Sequence, residues 1–243
     1  MKLNNKRILI TGGTSGIGYE LVKHLHEQNQ VIVIARHVHK LDELARQFTG
    51  IMTYQADLSK MEDINNAADA IRADVASIDV LINNAAVQYT PTFLDEQFDY
   101  DSISHEISIN FTSICALTYR LLPLLLRQDD AVILNVNSGL ALAPKTSSAI
   151  YCATKSALNS FTQSLGYQLE ATGVQVQQVF LGLVDTAMTK GRGDNKMLAP
   201  EAARRIVGGV ERGLKEHYLG KVYWLQILLR LMPSVARNIM RQH

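Results

Sequence analysis

Residues 7–18 read RILITGGTSGIG, and an amphipathic stretch follows from Tyr19 to Gln28. The apolar run predicts a short buried strand, the glycines a turn, and the following stretch a helix. Glycines at positions 12, 16 and 18 permit a tight turn, leave room for a pyrophosphate and allow close packing of the helix. The helix N-terminus offers free N–H groups to phosphate. This segment therefore predicts a dinucleotide site, the alternative being an ordinary tight loop between strand and helix.

The second predicted strand, residues 31–35 (VIVIA), indicates which dinucleotide binds. An acidic residue for an unphosphorylated ribose is expected about 20 residues beyond the glycines, but Ala35 and Arg36 stand there instead. A guanidinium offers forked donors to a 2′-phosphate, and no carboxylate repels that phosphate. We therefore expect NADP(H) in preference to NAD(H). The alternative is that Arg36 only solvates a basic loop with His37, His39 and Lys40.

Tyr151 and Lys155 predict acid/base chemistry. They are four residues apart and would project from one helix face, while Ser138 ends an apolar run thirteen residues before the tyrosine. A nearby ammonium typically lowers the pKa of an acid by about 1–3 units, so we expect the pKa of Tyr151 to move from about 10 towards working pH. Proton transfer to a carbonyl oxygen would follow. The alternative is an ordinary exposed pair.

Strands and helices alternate along the chain, which predicts an α/β fold: one domain over residues 1–243, with a parallel sheet of about seven strands and helices on both faces. Further strands are predicted at 51–55, 80–83, 131–136 and 174–180. Helices are predicted at 38–48, 61–75, 104–127 and 151–171.

Several motifs together resemble the classical short-chain dehydrogenase/reductase family. In chain order they are Thr11-Gly12-x-x-x-Gly16-x-Gly18, Asn83-Asn84-Ala85, Asn110, Ser138 and Tyr151-x-x-x-Lys155. The resemblance extends over essentially the whole chain. It implies a single Rossmann-type doubly wound domain. It also implies an NADP(H)-dependent oxidoreductase that transfers hydride reversibly between nicotinamide and a carbonyl or alcohol carbon.

The same resemblance implies residue roles. Tyr151 would be the general acid/base, and Lys155 would lower its pKa and bind the nicotinamide ribose. Ser138 would hydrogen-bond the substrate oxygen, and Asn110 would hold a water in the proton relay. The cofactor would be contacted by Tyr151 and Lys155 and by Gly12, Thr14, Ser15, Gly16, Ile17, Gly18, Arg36, Asp57, Leu58, Asn83, Ala85, Gly182, Val184 and Thr186.

The segments NNAAVQ (83–88) and DTAM (185–188), with the Leu/Arg-rich tail, are similar to a bacterial, DltE-like subgroup of this family. Its members are named for their genomic company with teichoic-acid D-alanylation proteins, which specifies no reaction. A non-catalytic NADP(H)-binding sensor or scaffold of the same fold is the alternative function. Apolar residues predicted around the cleft favour an apolar or aromatic carbonyl substrate. They are Val87, Tyr89, Leu140 and Leu142.

Composition limits the partners. The formal net charge is +1 and no lysine/arginine block occurs, so we expect small-molecule partners and no nucleic acid. The seven histidines are scattered, and we expect no metal site. The first strand begins almost at once and no run reaches about 20 apolar residues, which predicts a cytoplasmic protein.

Two features concern assembly and surfaces. The C-terminal segment 223–243 is amphipathic and basic, with Pro233 expected to break it. We expect it to pack on the core or on another subunit and to contribute to a lid. Contact with a membrane is the less favoured alternative. The predicted long helices carry more apolar positions than one sheet face needs, which favours a homodimer or homotetramer. These positions are Ile114, Leu117, Leu121, Leu125, Phe161 and Leu165.

Overall fold

The computed structural model describes residues 1–241. Its strands are β1 (Arg7–Thr11), β2 (Gln30–Ala35), β3 (Met52–Gln55), β4 (Val80–Asn83), β5 (Ala131–Ser138), β6 (Val174–Leu181), β7 (Val184–Asp185), β8 (Met197–Leu198) and β9 (Glu216–Tyr218). Seven of them form a parallel sheet in the order β3-β2-β1-β4-β5-β6-β9, while β7 and β8 pair separately.

Helices cover both faces of this sheet. They are α1 (Gly16–Leu25), α2 (Val38–Gln47), α3 (Met61–Asp74), α4 (Asp101–Ile107), α5 (Ser113–Leu125), α6 (Ala149–Gln168), α7 (Ala199–Glu211), α8 (Lys221–Leu231) and α9 (Pro233–Arg241). One apolar core lies between the sheet and α1, α2 and α7, and a second lies between the sheet and α3, α5 and α6. The predicted doubly wound parallel sheet is confirmed.

Strand β5 shows why the sheet has two cores. Val132, Leu134 and Val136 pack into the first core, whereas Ala131 and Ile133 pack into the second. Successive side chains of a strand point to opposite faces, so a strand covered on both sides must be apolar at nearly every position. The uninterrupted apolar run that predicted this strand is the consequence.

The strand order creates a crevice at one place. β1 lies between β2 and β4, so the strands that follow β1 in the chain are added on both sides of it. In sheets of this kind, ligands bind at the carboxyl ends of the strands where the order reverses. The glycine-rich turn follows β1, and Asn84 and Ala85 follow β4. The topology thus brings two of the predicted motifs together.

Element boundaries differ from the predictions in informative ways. Helix α1 begins at Gly16, three residues before the predicted start, so the last two motif glycines are helical. The predicted single helix over 104–127 is α4, a π-helical segment (Ser108–Thr112) and α5. The three-residue β9 was not predicted, because it is too short to show strand periodicity.

The apolar residues predicted to be left over for an oligomer interface are not at the surface, so that expectation was wrong. Five of the six positions are buried in the core beneath α5 and α6, and Phe161 packs against it. These helices instead expose Tyr119 and Tyr167, at 77% and 75% of their surfaces. A homodimer or homotetramer stays a prediction without that support.

The segment Asp101–Leu125 is long and apolar enough to cross a membrane by length and composition alone, contrary to the expectation that no such run exists. Its second part, α5, packs Leu117, Leu121 and Leu124 into the core against the sheet. The core helix of a globular domain meets the same criteria of length and composition, so this segment is only weak evidence for a membrane span.

Candidate active site

A cavity of about 1210 Å3 runs along the carboxyl ends of the strands. It extends from Arg36 and Asp57, past the glycine-rich turn, to Ser138 and Tyr151. Sites for single small ligands typically measure about 300–1,000 Å3, so this cavity can hold a cofactor beside a substrate.

The glycine-rich turn has the geometry that phosphate binding requires. Gly12 and Gly16 adopt φ of 70° and 54°, which residues with a side chain rarely adopt. A Cβ on Gly12 would lie 3.0 Å from Cα of Ala85. The side chain of Ser15, the N-cap of α1, caps no N–H group, and the first turn carries no acidic residue. The N–H groups of this helix end are therefore available to an anion. Thr14, Ser15 and Ile17 line the same wall.

Gly18 does not line the cavity, contrary to its predicted contact with the cofactor. A Cβ there would lie 2.2 Å from the carbonyl oxygen of Gly12 and 2.6 Å from Nδ2 of Asn84. The absence of a side chain lets α1 approach the turn and the end of β4. Gly18 thus affects the shape of the cavity through the packing of α1 and does not line it.

Asn83 is also outside the cavity wall, where its neighbour Asn84 lies instead. Asn83 is buried, and its Nδ2 donates to Oδ1 of Asn135 at 2.8 Å. The Nδ2 of Asn84 donates to the carbonyl of Thr11 at 2.9 Å, tying β4 to the end of β1. Strand alternation could have indicated this, because Asn83 shares a face with the core residue Leu81.

Arg36 and Asp57 mark the far end of the cavity, with Leu58, His37 and Lys40 nearby. The Arg36 side chain is exposed and contacts Nε2 of His37 at 3.2–3.3 Å. Burial raises the pKa of Asp57, but hydrogen bonds from N and Oγ of Ser59 and the charges of Arg36 and Lys60 outweigh it, so the pKa lies below its ordinary value. This end therefore offers a cationic donor beside an ionised acceptor.

Tyr151 and Ser138 form the centre of the predicted acid/base site. Tyr151 lies in the first turn of α6 and lines the cavity together with Ser138, which ends β5. Burial raises the pKa of Tyr151 above its ordinary value; the Ser138 hydrogen bond lowers it only partly, and Glu106 raises it further. The predicted lowering of the Tyr151 pKa was therefore wrong for the protein by itself, because desolvation disfavours the phenolate.

Lys155 is buried one helical turn beyond Tyr151. Its Nζ donates to the carbonyl of Val136 at 2.9 Å and lies 5.7 Å from the centre of the Tyr151 ring. Burial lowers the pKa of Lys155 to about 8, while the charge of Glu106 opposes this change. The predicted proximity of phenol and ammonium is present, but the ammonium is held by the backbone and makes no direct bond to the phenol.

Asn110 lies in the π-helical segment, a local helix form often found at functional sites. Its Oδ1 accepts from N of Val87 at 2.9 Å, and its Nδ2 donates to the carbonyl of Val87 at 2.8 Å and to Oγ1 of Thr154 at 3.3 Å. Asn110 does not line the cavity but braces Val87, which does. The predicted relay water stays a prediction.

Gly182, Val184 and Thr186 follow β6 and line the cavity, and their contact with the cofactor stays a prediction. A Cβ on Gly16 would lie 3.2 Å from Cγ2 of Thr186, so the glycine-rich turn and this segment meet across the cavity. The side chains of Thr186 and Thr189 cap each other's backbone N–H groups, which orders the start of the following loop.

Comparison with known proteins assigns the chain to a family. The model of the family described as short chain dehydrogenase matches residues 6–197. The chain belongs to the short-chain dehydrogenase family, a family of oxidoreductases. It is 33% identical over 223 residues to the uncharacterized oxidoreductase DltE of Bacillus subtilis (strain 168), covering 89% of this chain and 88% of that protein. This short-chain dehydrogenase is therefore DltE-like.

Solved structures of the family share its fold. A short chain dehydrogenase from Burkholderia cenocepacia J2315 in complex with NADP has a TM-score of 0.89 at 23% identity and covers 99% of both chains. A short-chain dehydrogenase from Sphingobium yanoikuyae in complex with NADPH has a TM-score of 0.82 at 25% identity, covering 94% of this chain and 96% of that one. These neighbours confirm the Rossmann-type fold of this chain.

The short-chain dehydrogenase chain also closes its cavity with α8 and α9, which the site prediction did not include. Their cavity-lining residues are Lys221, Val222, Trp224, Leu225, Leu228, Ile239 and Met240. A Cβ on Gly139 would lie 2.9 Å from Val222, so α8 packs directly on the end of β5. Oγ1 of Thr146 donates to the carbonyl of Arg241 at 2.6 Å. Pro233 separates the helices as predicted, and the amphipathic pattern indicated a lid contribution.

Proposed function

We propose that this protein is an NADP(H)-dependent oxidoreductase that interconverts a small-molecule carbonyl compound and its alcohol, with Tyr151 as the general acid/base. One observation carries the proposal. Ser138, Tyr151 and Lys155 meet at one end of a continuous cavity whose other end carries Arg36, with the phosphate-binding turn between them. A shared cavity is what hydride transfer beside a proton donor requires.

The residues along the cavity fit NADP(H). The free N–H groups of α1 suit the pyrophosphate, and Arg36 suits the 2′-phosphate as a forked donor. Asp57 would be an ionised acceptor at the adenine end, and Lys155, at the other end of the cavity, would bind the nicotinamide ribose. When bound, the nicotinamide supplies or accepts the hydride.

The chain's own groups would then handle the proton. Tyr151 stays protonated because its pKa is raised, which suits an acid that donates to a carbonyl oxygen during reduction. The Ser138 hydroxyl adjoins the Tyr151 hydroxyl and would donate a hydrogen bond to the same oxygen. The buried Lys155 ammonium would stabilise the phenolate that remains. Asn110 would keep Val87, and with it this wall of the site, in place.

The test is Tyr151→Phe, which removes the acidic proton but keeps the ring. With a panel of ketones, aldehydes and quinones, followed by NADPH absorbance, the variant should lose about 10²- to 10⁴-fold in turnover. NADPH binding should change little. Tyr167→Phe is the matched control, because Tyr167 is on the same helix but exposed.

Substantial turnover by Tyr151→Phe would contradict this assignment. A non-catalytic NADP(H)-binding sensor or scaffold is the alternative, and it predicts that the wild type binds NADPH yet reduces no member of the panel. A cytoplasmic location and a homo-oligomer are part of the same proposal; light scattering tests the second.

A further inference from the structure

We propose that Lys145 and Arg192 form an anion-binding pair for the substrate, so that the carbonyl compound carries a carboxylate or phosphate group. This inference deepens and rests on the proposed function. It also changes the expectation of a purely apolar substrate, because both cations line the cavity beside the predicted acid/base site.

Lys145, Arg192 and the residue that positions the arginine, Gln88, lie on three loops that follow adjacent strands. Gln88 follows β4, Lys145 lies between β5 and α6, and Arg192 follows β6. Oε1 of Gln88 accepts a hydrogen bond from Nη1 of Arg192 at 2.6 Å, and Nε2 of Gln88 donates to Oγ of Ser148 at 3.1 Å. Gln88 thus holds the guanidinium towards the start of α6, whose first turn contains Tyr151.

Neither cation has an acidic partner among the residues that the structure describes. Within residues 1–241, no carboxylate forms an ion pair with Lys145 or Arg192. Lys196, which also lines the cavity, does form an ion pair, with Asp185 at 3.7 Å. Two half-buried cations in one wall repel each other, which an arriving anion would relieve.

The charges around Lys145 agree with an anion-binding site at this place. Burial lowers the pKa of its ammonium, and the positive charge of Arg192 lowers it further, whereas Cys152 opposes the change. Arg192 also lowers the pKa of Tyr151. Gln88 also ties this guanidinium to Ser148, three residues before Tyr151, so an anion at the two cations would lie near the start of α6.

The remaining wall indicates what accompanies the anionic group. Leu140 and Met188 line the cavity together with Val222, Leu225 and Leu228 of α8. An apolar wall facing a cationic pair suits an amphiphilic molecule, with an anionic group at the cations and a hydrocarbon portion against α8.

The experiment measures binding without turnover. Calorimetric titration of the NADP+-saturated protein compares octanoate with octanamide, its neutral counterpart; neither carries a ketone or aldehyde to reduce. Octanoate should bind the wild type more tightly than octanamide. Lys145→Met and Arg192→Gln should each weaken octanoate binding about 10- to 100-fold and leave octanamide binding almost unchanged. Lys190→Met, an exposed charge in the same loop region that does not line the cavity, should change neither.

Two results would overturn the anion site. One is octanoate binding that is absent at millimolar concentration or no stronger than octanamide binding. The other is a loss of NADPH affinity in the Lys145 and Arg192 variants with octanoate binding intact, which would assign the pair to the cofactor. Circular dichroism confirms that each variant is folded. If octanoate binds as expected but no carbonyl compound is reduced, the proposed function fails while the anion site stands.

Discussion

Replacing Gly18 with alanine should destabilise this protein, although the same exchange normally stabilises a helix. Alanine is favoured over glycine in a helix interior by about 0.8–1.0 kcal/mol. At Gly18 the new Cβ would lie 2.2 Å from the carbonyl oxygen of Gly12 and 2.9 Å from its carbonyl carbon. Both are backbone atoms, so the turn itself must move. Overpacking costs about 1–3 kcal/mol, and this contact is at the severe end.

The net loss should therefore be about 2 kcal/mol in the free energy of unfolding, or about 4–8 °C in Tm for a chain of this size. Gly166→Ala is the matched control, since Gly166 is also helical and a Cβ there would meet only Val176 at 3.9 Å. That exchange should raise Tm by a few degrees. Thermal unfolding followed by circular dichroism gives both values.

Cofactor affinity provides the second readout. Because the displaced atoms belong to the glycine-rich turn proposed to bind phosphate, Gly18→Ala should also weaken NADPH binding, and Gly166→Ala should not. Equal stability of Gly18→Ala and Gly166→Ala would show that the turn accommodates the new Cβ without cost, contrary to this prediction. Equal NADPH affinity in a destabilised Gly18→Ala protein would separate the packing role from the shape of the turn.

Two further predictions concern charge. Arg36→Leu should raise the KM for NADPH about 10- to 100-fold and the KM for NADH little. Arg46→Leu, which removes an exposed arginine of α2, should alter neither KM value. Equal effects of Arg36→Leu on both cofactors would exclude a 2′-phosphate contact. Burial raises the pKa of Glu106 from 4.5 to about 7, although a hydrogen bond from Tyr89 and the charge of Lys155 oppose this. The contribution of Glu106 to the free energy of unfolding is then complete below about pH 4.5, where the carboxyl is neutral in both states. It is lost as pH rises through 7, which lowers the free energy of unfolding by up to about 3 kcal/mol. Glu106→Gln should flatten the fall in stability between pH 5 and 8 measured by urea unfolding, and an unchanged slope would contradict the raised pKa.

The sequence predicted the site best where backbone geometry follows from local rules. The glycine-rich turn and the ends of β1, β4, β5 and β6 were found because glycine spacing and apolar runs are local properties. It failed for Gly18 and Asn83, which lie behind the wall. Each was assigned to the cofactor by its motif, whereas the orientation of a side chain depends on what packs against it.

The electrostatic prediction for Tyr151 failed for a related reason. The i, i+4 spacing correctly put Lys155 on the same side of α6, but spacing does not report burial. In the fold, the ammonium is taken by the carbonyl of Val136 and desolvation raises the pKa of the phenol. Local spacing fixes which groups can meet, and the surrounding dielectric fixes how each of them titrates.

By itself, the sequence determined the doubly wound sheet, the glycine-rich turn and the tyrosine–lysine pair, because each depends on short-range periodicity and on backbone conformations that glycine favours. Only the tertiary structure decided which side chains face the cavity. It joined Gln88, Lys145 and Arg192 from three separate loops and laid α8 across the end of β5. Such contacts connect residues up to 104 positions apart, as between Gln88 and Arg192, and no local pattern encodes them.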